Sequence, residues 1–128
     1  MPMRFELGPG EHRCTIHLSG VVTREVLEAG VIAQVAAGAW TRQTLLDGTH
    51  VTDMTALWRD MQQLVQFVRS TTQGLPPRGR TVILAPNDIV YGSARMYQVA
   101  LEGVVPMALE VCRTMEEAEA WFASGRSG

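Results

Sequence analysis

The chain has 128 residues, of which 46% are hydrophobic and 19% charged, with a formal net charge of −2. This length can bury one continuous core, so we expect a single domain over residues 1–124 and a short frayed tail over residues 125–128. The eleven basic residues are all arginines scattered along the sequence, which excludes the clustered positive surface that nucleic-acid binding requires. No apolar run approaches the roughly 20 residues of a membrane span, and the first residues lack the features of a signal peptide. The sequence therefore predicts a cytoplasmic domain.

Two cysteines, Cys14 and Cys112, stand far apart in strand-like runs. Neither belongs to a Cys-x-x-Cys pair or to a Cys/His spacing that would predict zinc or a redox dithiol. We expect two buried free thiols, as is typical of proteins in a reducing compartment.

Hydrophobic periodicity predicts strands and helices along the whole chain. Cys14, Ile16 and Leu18 alternate with polar residues, which indicates a strand with one buried face. Residues 80–85 (RTVILA) are apolar without alternation, as in a strand covered on both faces. Thr114 and Glu117 have the spacing of a capping box at the start of a last helix. The predicted strands cover residues 4–7, 12–19, 44–47, 80–85 and 107–112. Three predicted helices cover residues 24–37, 55–70 and 88–103, and a fourth begins at residue 115.

The resulting order is ββαβαβαβα. Residues 8–11 (GPGE) separate the first two strands as the loop of a hairpin. Strands that alternate with helices favour parallel pairing. The sequence therefore predicts an α/β fold whose mixed, mostly parallel sheet starts with an antiparallel hairpin.

Two stretches, together with the order of the elements, resemble a known family. The first is the strand and turn LLDGTHVTDMTAL (45–57), and the second is the strand–turn–helix TVILAPNDIVYGSARMY (81–97). The chain resembles the small single-domain bacterial STAS-like proteins, relatives of anti-sigma-factor antagonists that include a group described as STAS/SEC14-like. The resemblance implies a STAS-like fold and a regulatory module that binds a partner protein.

Antagonists of this family carry an Asp-Ser-Ser/Thr-Gly-Leu turn whose first Ser is phosphorylated by a partner kinase. The matching turn here is Asp53-Met54-Thr55-Ala56-Leu57. Met54 replaces the acceptor Ser, and the only hydroxyl is on Thr55, one position further on. The resemblance thus implies a partner-binding turn in which Thr55 is the sole candidate for phosphorylation.

Asp47, His50 and Asp53 follow one another at three-residue intervals in what the pattern predicts to be a loop after a strand. Such a group can bind a metal or relay a proton. Alternatively Asp47 ties the loop, Asp53 caps the next helix and His50 is solvated. We favour the second interpretation and predict no metal site.

The start of the third helix holds the best local candidates for a binding site. Asn87 or Asp88 caps it, and Tyr91 and Arg95 share one face with Gln98. Arg95 can bind an anionic group, and Gly92 can let a ligand or another backbone approach the helix start. Alternatively Arg95 pairs with a nearby carboxylate and Gly92 serves packing, while Ile89, Val90 and Met96 belong to the core.

Trp58 lies beside the apolar stripe of the second helix. It is either a residue at the edge of the core or, next to Met54 and Met61, part of a subunit contact or the mouth of an apolar ligand site. No nucleophile elbow, Ser/His or Cys/His pairing, or glycine-rich phosphate-binding motif occurs in the sequence. We therefore predict a protein without enzymatic activity or a cofactor.

Two functions remain as hypotheses. The first is a regulatory STAS-like module that contacts a protein partner or a second copy of itself as a homodimer. The second is a module for a small amphipathic ligand or lipid, held in an apolar cleft rimmed by Tyr91 and Arg95. The candidate site residues are Asp53, Thr55, Trp58, Tyr91, Gly92 and Arg95.

Overall fold

The computed structural model describes residues 2–10 and 12–125 of the chain. The predicted tail residues 126–128, and Glu11 of the predicted hairpin loop, lie outside this part. Five strands and four helices alternate in the predicted order. The strands are β1 (Met3–Leu7), β2 (Arg13–Val21), β3 (Gln43–Asp53), β4 (Thr81–Leu84) and β5 (Leu109–Cys112), and the helices are α1 (Arg24–Ala36), α2 (Ala56–Thr71), α3 (Asp88–Leu101) and α4 (Met115–Ser124).

The strands form one sheet in the order β1-β2-β3-β4-β5. The β1–β2 pair is antiparallel, and the three following pairs are parallel. Each parallel pair is joined by one helix. The predicted α/β class, with a hairpin followed by parallel strands, is confirmed.

One face of the sheet carries the main core. The parallel strands are adjacent in sequence order. Because connections between such strands are right-handed, α1, α2 and α3 lie on the same face. The buried side chains there come from all three helices and from β2 to β5. No helix in the described part of the chain is both long and apolar enough to cross a membrane.

The opposite face is only partly covered, by α4. Ala118 and Phe122 of this helix pack on Leu45, Val82, Leu84 and Cys112 of β3, β4 and β5. The β4 strand is therefore buried on both faces, as its apolar sequence predicts. Toward β1 and β2 this face carries charged and polar side chains instead, with Arg4, Glu6, His17 and Asp47 among them.

The β3 strand is much longer than predicted. It runs on to Asp53 because its second half also pairs with β2, across two register shifts. Gly48 is required within it, since a Cβ there would lie 2.7 Å from the Leu84 carbonyl oxygen. The prediction that the residues after Asp47, His50 among them, form a loop up to Asp53 is therefore wrong.

The helix starts differ in how they are capped. Asn87 caps α3, its side chain accepting a hydrogen bond of 2.8 Å from the Val90 amide. Thr114 and Glu117 form the predicted capping box of α4. Thr23, at the start of α1, makes no such side-chain hydrogen bond.

A buried arginine ties the amino-terminal end of the parallel strands together. The Arg78 guanidinium lies 4.6 Å from the centre of the Trp40 ring and donates a 2.6 Å hydrogen bond to Gln34. The Gln34 amide in turn donates to Thr44 and to the Ala39 carbonyl. Burial lowers the pKa of Arg78, because the charged group loses its water on folding. The bond to Gln34 replaces part of that water, whereas the buried Arg78 Nε has no hydrogen-bond partner among the described residues.

Replacing Gln34 by Met should lower the free energy of unfolding by about 2–3 kcal/mol, because buried polar groups lose their partner while the volume is kept. Urea unfolding followed by circular dichroism measures this. Arg78→Met should then cost less in the Gln34→Met background than in the wild type. Additive losses would contradict the coupling.

Phe122→Ala should lower the free energy of unfolding by about 3–5 kcal/mol, because Phe122 fills the core between α4 and the sheet. Met115→Ala on the same helix is the matched control. Met115 is exposed, so its loss should stay within about 1 kcal/mol in the same urea titration. Equal losses for the two variants would show that α4 is not packed as described.

Candidate functional site

The two segments of the sequence-predicted site meet at the carboxyl end of the parallel strands. The 53–58 turn leads from β3 into α2, and the 86–97 segment leads from β4 into α3. A hydrogen bond of 2.9 Å from Trp58 Nε1 to Ser93 Oγ joins them. Ser93 is 1% exposed, whereas Trp58 is 50% exposed. The indole is therefore fixed at its nitrogen while much of its ring faces solvent.

The turn before α2 is held by Asp53. One carboxylate oxygen of Asp53 accepts hydrogen bonds from the Thr55 amide at 2.9 Å and from the Thr55 hydroxyl at 2.8 Å. These bonds, the amide first, lower the pKa of Asp53. Asp53 thus fixes an exposed Thr55 by a short-range turn of the kind that Asp residues often make.

Met54 points inward from the same turn. Its side chain is 5% exposed and joins the main core. A core residue therefore occupies the position at which the resemblance to the antagonists places a phosphorylated Ser. Thr55 is the hydroxyl that this turn displays at the surface.

The space between the two segments is closed. Behind the Trp58–Ser93 bond lies a void of about 20 Å³, lined by residues that include Met54, Leu57 and Tyr97. A void of this size holds at most a single water molecule, and its lining is apolar.

Tyr91 is covered by a residue from another loop. The Arg113 guanidinium lies 4.3 Å from the centre of the Tyr91 ring, 2.8 Å from the Asp88 carboxylate and 3.2 Å from the Pro86 carbonyl oxygen. Arg113 thereby fastens the loop after β5 to the start of α3. Tyr91 supports this contact and does not line either of the two cavities that Arg95 lines.

Several details predicted for α3 are wrong. A Cβ on Gly92 would meet no described atom within 4 Å, so neither a close backbone approach nor packing accounts for this glycine. Arg95 donates to the Gln98 side chain at 2.5 Å and pairs with no carboxylate among the described residues. Ile89 and Met96, predicted to belong to the core, are exposed.

A groove between α2 and α3 brings Trp58 and Arg95 together. Its volume is about 610 Å³. Val99 is 62% exposed and Met96 41% exposed beside the half-exposed Trp58. We call this surface the α2–α3 groove. Its lining residues are Trp58, Arg59, Met61, Gln62, Arg95, Met96, Val99 and Ala100.

The reactive side chains outside this groove have structural partners. Cys14 and Cys112 are buried free thiols, as predicted, and burial raises the pKa of both, which makes them poor nucleophiles. Asp47 accepts a hydrogen bond from the Thr49 amide and lies 3.6 Å from His17. In the described part of the chain no three His, Cys, Asp or Glu residues are grouped as metal ligands would be.

Sequence reasoning missed Ser93 and Arg113. Ser93 follows the buried Val90 by three residues and so falls on the apolar side of α3, where a hydroxyl needs a partner. Arg113 directly follows β5, at the sheet end where the other candidates lie. Both signals are present in the sequence, but neither identifies Trp58 or Tyr91 as the residue contacted.

Comparison of the chain with known proteins identifies its fold. No protein-family model matches the sequence, and no curated protein matches it. Among solved structures, an uncharacterised DUF3478-family protein from Shewanella loihica with a SpoIIAA-like fold gives a TM-score of 0.55 at 16% identity, covering 94% of this chain and 91% of that one.

Two structures of the anti-sigma factor antagonist SpoIIAA are also similar, both at 18% identity. The unphosphorylated form gives a TM-score of 0.47 and covers 96% of this chain and 98% of that one. The phosphorylated form, from Bacillus, gives 0.49 and covers 93% and 97%. The match to the DUF3478-family protein confirms the predicted STAS-like architecture: the chain has a SpoIIAA-like α/β fold.

Proposed function

We propose that the chain is a non-enzymatic, regulatory STAS-like module that acts by contacting a protein partner through the α2–α3 groove and the adjoining 53–58 turn. The observation that carries this proposal is the half-exposed Trp58, held by Ser93 at the rim of an apolar groove. Large aromatic residues in such positions supply much of the binding energy of protein interfaces.

The groove has the chemical make-up of a contact surface. Trp58, Met96 and Val99 expose apolar area next to one another, and aromatic residues, Met and Arg are enriched where proteins meet. Because the Trp58 indole is already fixed by its hydrogen bond, binding costs less side-chain entropy than ordering a free Trp would.

Charge at the groove favours a partner with an acidic rim. Arg59 and Arg95 both line it. Arg59 is paired with its neighbour Asp60, whereas the bond of Arg95 goes to a neutral amide. A carboxylate on the partner can therefore pair with Arg95 without displacing a negative group of this chain.

The absence of enzymatic activity is part of the same proposal. Both thiols are buried, Ser93 is used by Trp58, and Thr55 donates its hydroxyl to Asp53. A nucleophile needs a neighbouring base that accepts its proton and an accessible position. Thr55 is accessible, but its hydrogen-bond partner Asp53 is a weak base, because the bonds from the Thr55 amide and hydroxyl lower the pKa of Asp53.

Phosphorylation of Thr55 remains a prediction. The Thr55 hydroxyl contacts the Asp53 carboxylate, so a phosphate there would bring two negative groups together and open the turn. Such a change would alter the surface beside Trp58, which is how a modification could regulate binding at this groove.

The proposal is tested by Val99→Glu. Val99 is the most exposed apolar residue of the groove, so the variant should keep the wild-type melting temperature while placing a carboxylate in the contact. Capture of the specific partner by the immobilised chain from its native cell lysate, quantified by mass spectrometry, should fall by about tenfold or more.

Ile32→Glu is the matched control. Ile32 is a similarly exposed apolar residue on α1 and lies outside the groove. Proteins captured equally by the wild type and by Ile32→Glu, but lost with Val99→Glu, are partners of the groove. If Val99→Glu retains every protein that the control retains, the groove is not the contact surface.

A further inference from the structure

We propose that the outer edge of β1 binds a second copy of this chain, with the two β1 strands antiparallel about a two-fold axis at Phe5. The two five-stranded sheets then join into one sheet of ten strands. This surface differs from the α2–α3 groove, so the inference does not depend on the proposed function.

The hydrogen-bond pattern of the hairpin shows which backbone groups face outward. The Ser19 amide donates to the Pro2 carbonyl at 2.9 Å, and the Gly8 amide donates to the Arg13 carbonyl at 2.8 Å. In an antiparallel pair the bonded positions alternate. The even-numbered residues of β1 therefore bond β2, and the odd-numbered residues point their N–H and C=O groups away from it.

Those outward groups belong to Met3, Phe5 and Leu7. In the described part of the chain, no other segment forms a backbone hydrogen bond to them. An antiparallel copy centred on Phe5 pairs Phe5 with the partner's Phe5 and Met3 with the partner's Leu7. All three positions then exchange bonds in both directions, which satisfies six backbone donors.

The side chains of β1 are self-complementary in the same register. Arg4 and Glu6 point to the same face of the sheet and are both exposed. The register places Arg4 opposite the partner's Glu6 in a non-hydrogen-bonded pair, where facing side chains are closest. Exposed strand edges are commonly protected from such pairing by charge, but two opposite charges arranged symmetrically about Phe5 favour it.

Apolar contacts add to this pairing on the other face of β1. Leu7 is 54% exposed and comes opposite the partner's Met3. Met3 and Phe5 are partly buried against the main core. Pairing covers an apolar leucine that solvent otherwise contacts.

The α1 helix extends the contact beyond the strand. It packs against β1, and the charge of Asp60 on α2 acts on Arg24 at its start. At about 100° per residue, Val26 and Ala33 lie on the side of α1 opposite to Arg24 and hence away from α2. Because these side chains are small, the two α1 helices can approach each other above the joined sheet. This contact adds to the surface area buried between the two copies, which must be large in a stable dimer.

A charge-swap series tests the pairing, with sedimentation velocity measured over a micromolar to millimolar range. The wild type should form a dimer. The dimer contains two pairs of residues 4 and 6, one on each side of Phe5. In Arg4→Glu, and likewise in Glu6→Arg, both pairs carry like charges, which should raise the dissociation constant of the dimer roughly tenfold to a hundredfold. The double variant Arg4→Glu/Glu6→Arg restores opposite charges and should dimerise again. Arg69→Glu, an exposed charge reversal on α2, should leave the dimer unchanged.

Amide hydrogen exchange supplies a second readout. The amides of Phe5 and Leu7 should be protected in the wild-type dimer and exchange faster in Arg4→Glu. A wild type that stays monomeric while folded overturns the proposal. A dimer that persists in both Arg4→Glu and Glu6→Arg also overturns it. A dimer that only Val99→Glu dissociates overturns it as well, because self-association would then occur at the α2–α3 groove.

Discussion

The handedness of the connections between parallel strands determines which surfaces this protein presents. Strands β2 to β5 are adjacent in the order of the chain, and each right-handed connection places its helix on the same side of the sheet. Three helices therefore share one face, and only α4 remains for the other. The main core, the α2–α3 groove and the open face at β1 and β2 all follow from this one constraint.

The two ends of the parallel strands are stabilised in different ways. At the amino-terminal end Arg78 is wholly buried and is surrounded by Gln34 and Trp40. At the carboxyl end each contact includes a residue that remains at least partly exposed: Trp58 contacts the buried Ser93, and Arg113 contacts Tyr91. A partner can reach the second set without opening the core. The surface available for binding therefore lies where α/β proteins generally place their sites.

Elements whose hydrophobic pattern or capping motif lies entirely within the element could be predicted from the sequence, as β4 and α4 show. Residues 81–84 are buried on both faces and carry no polar alternation, and the capping box of α4 lies within four residues. The length of β3 could not be predicted, because the pairing with β2 imposes strand structure on a segment with a weak strand pattern. The contact of Trp58 with Ser93 spans 35 positions, and periodicity within one helix contains no information on it.

The 53–58 turn places an apolar residue where the resemblance to the antagonists places a phosphorylated Ser. In the resemblance to the antagonists, the switch residue follows the Asp; here that residue is Met54, which packs into the core. The buried Met54 side chain anchors the start of α2. The solvent-facing residues in the first turn of that helix therefore have a fixed orientation. Trp58 takes one of these positions and is fixed a second time by Ser93. Two fixed points, Met54 in the core and Ser93 on α3, thus hold the indole in one orientation, so the apolar surface at this end of the sheet is rigid.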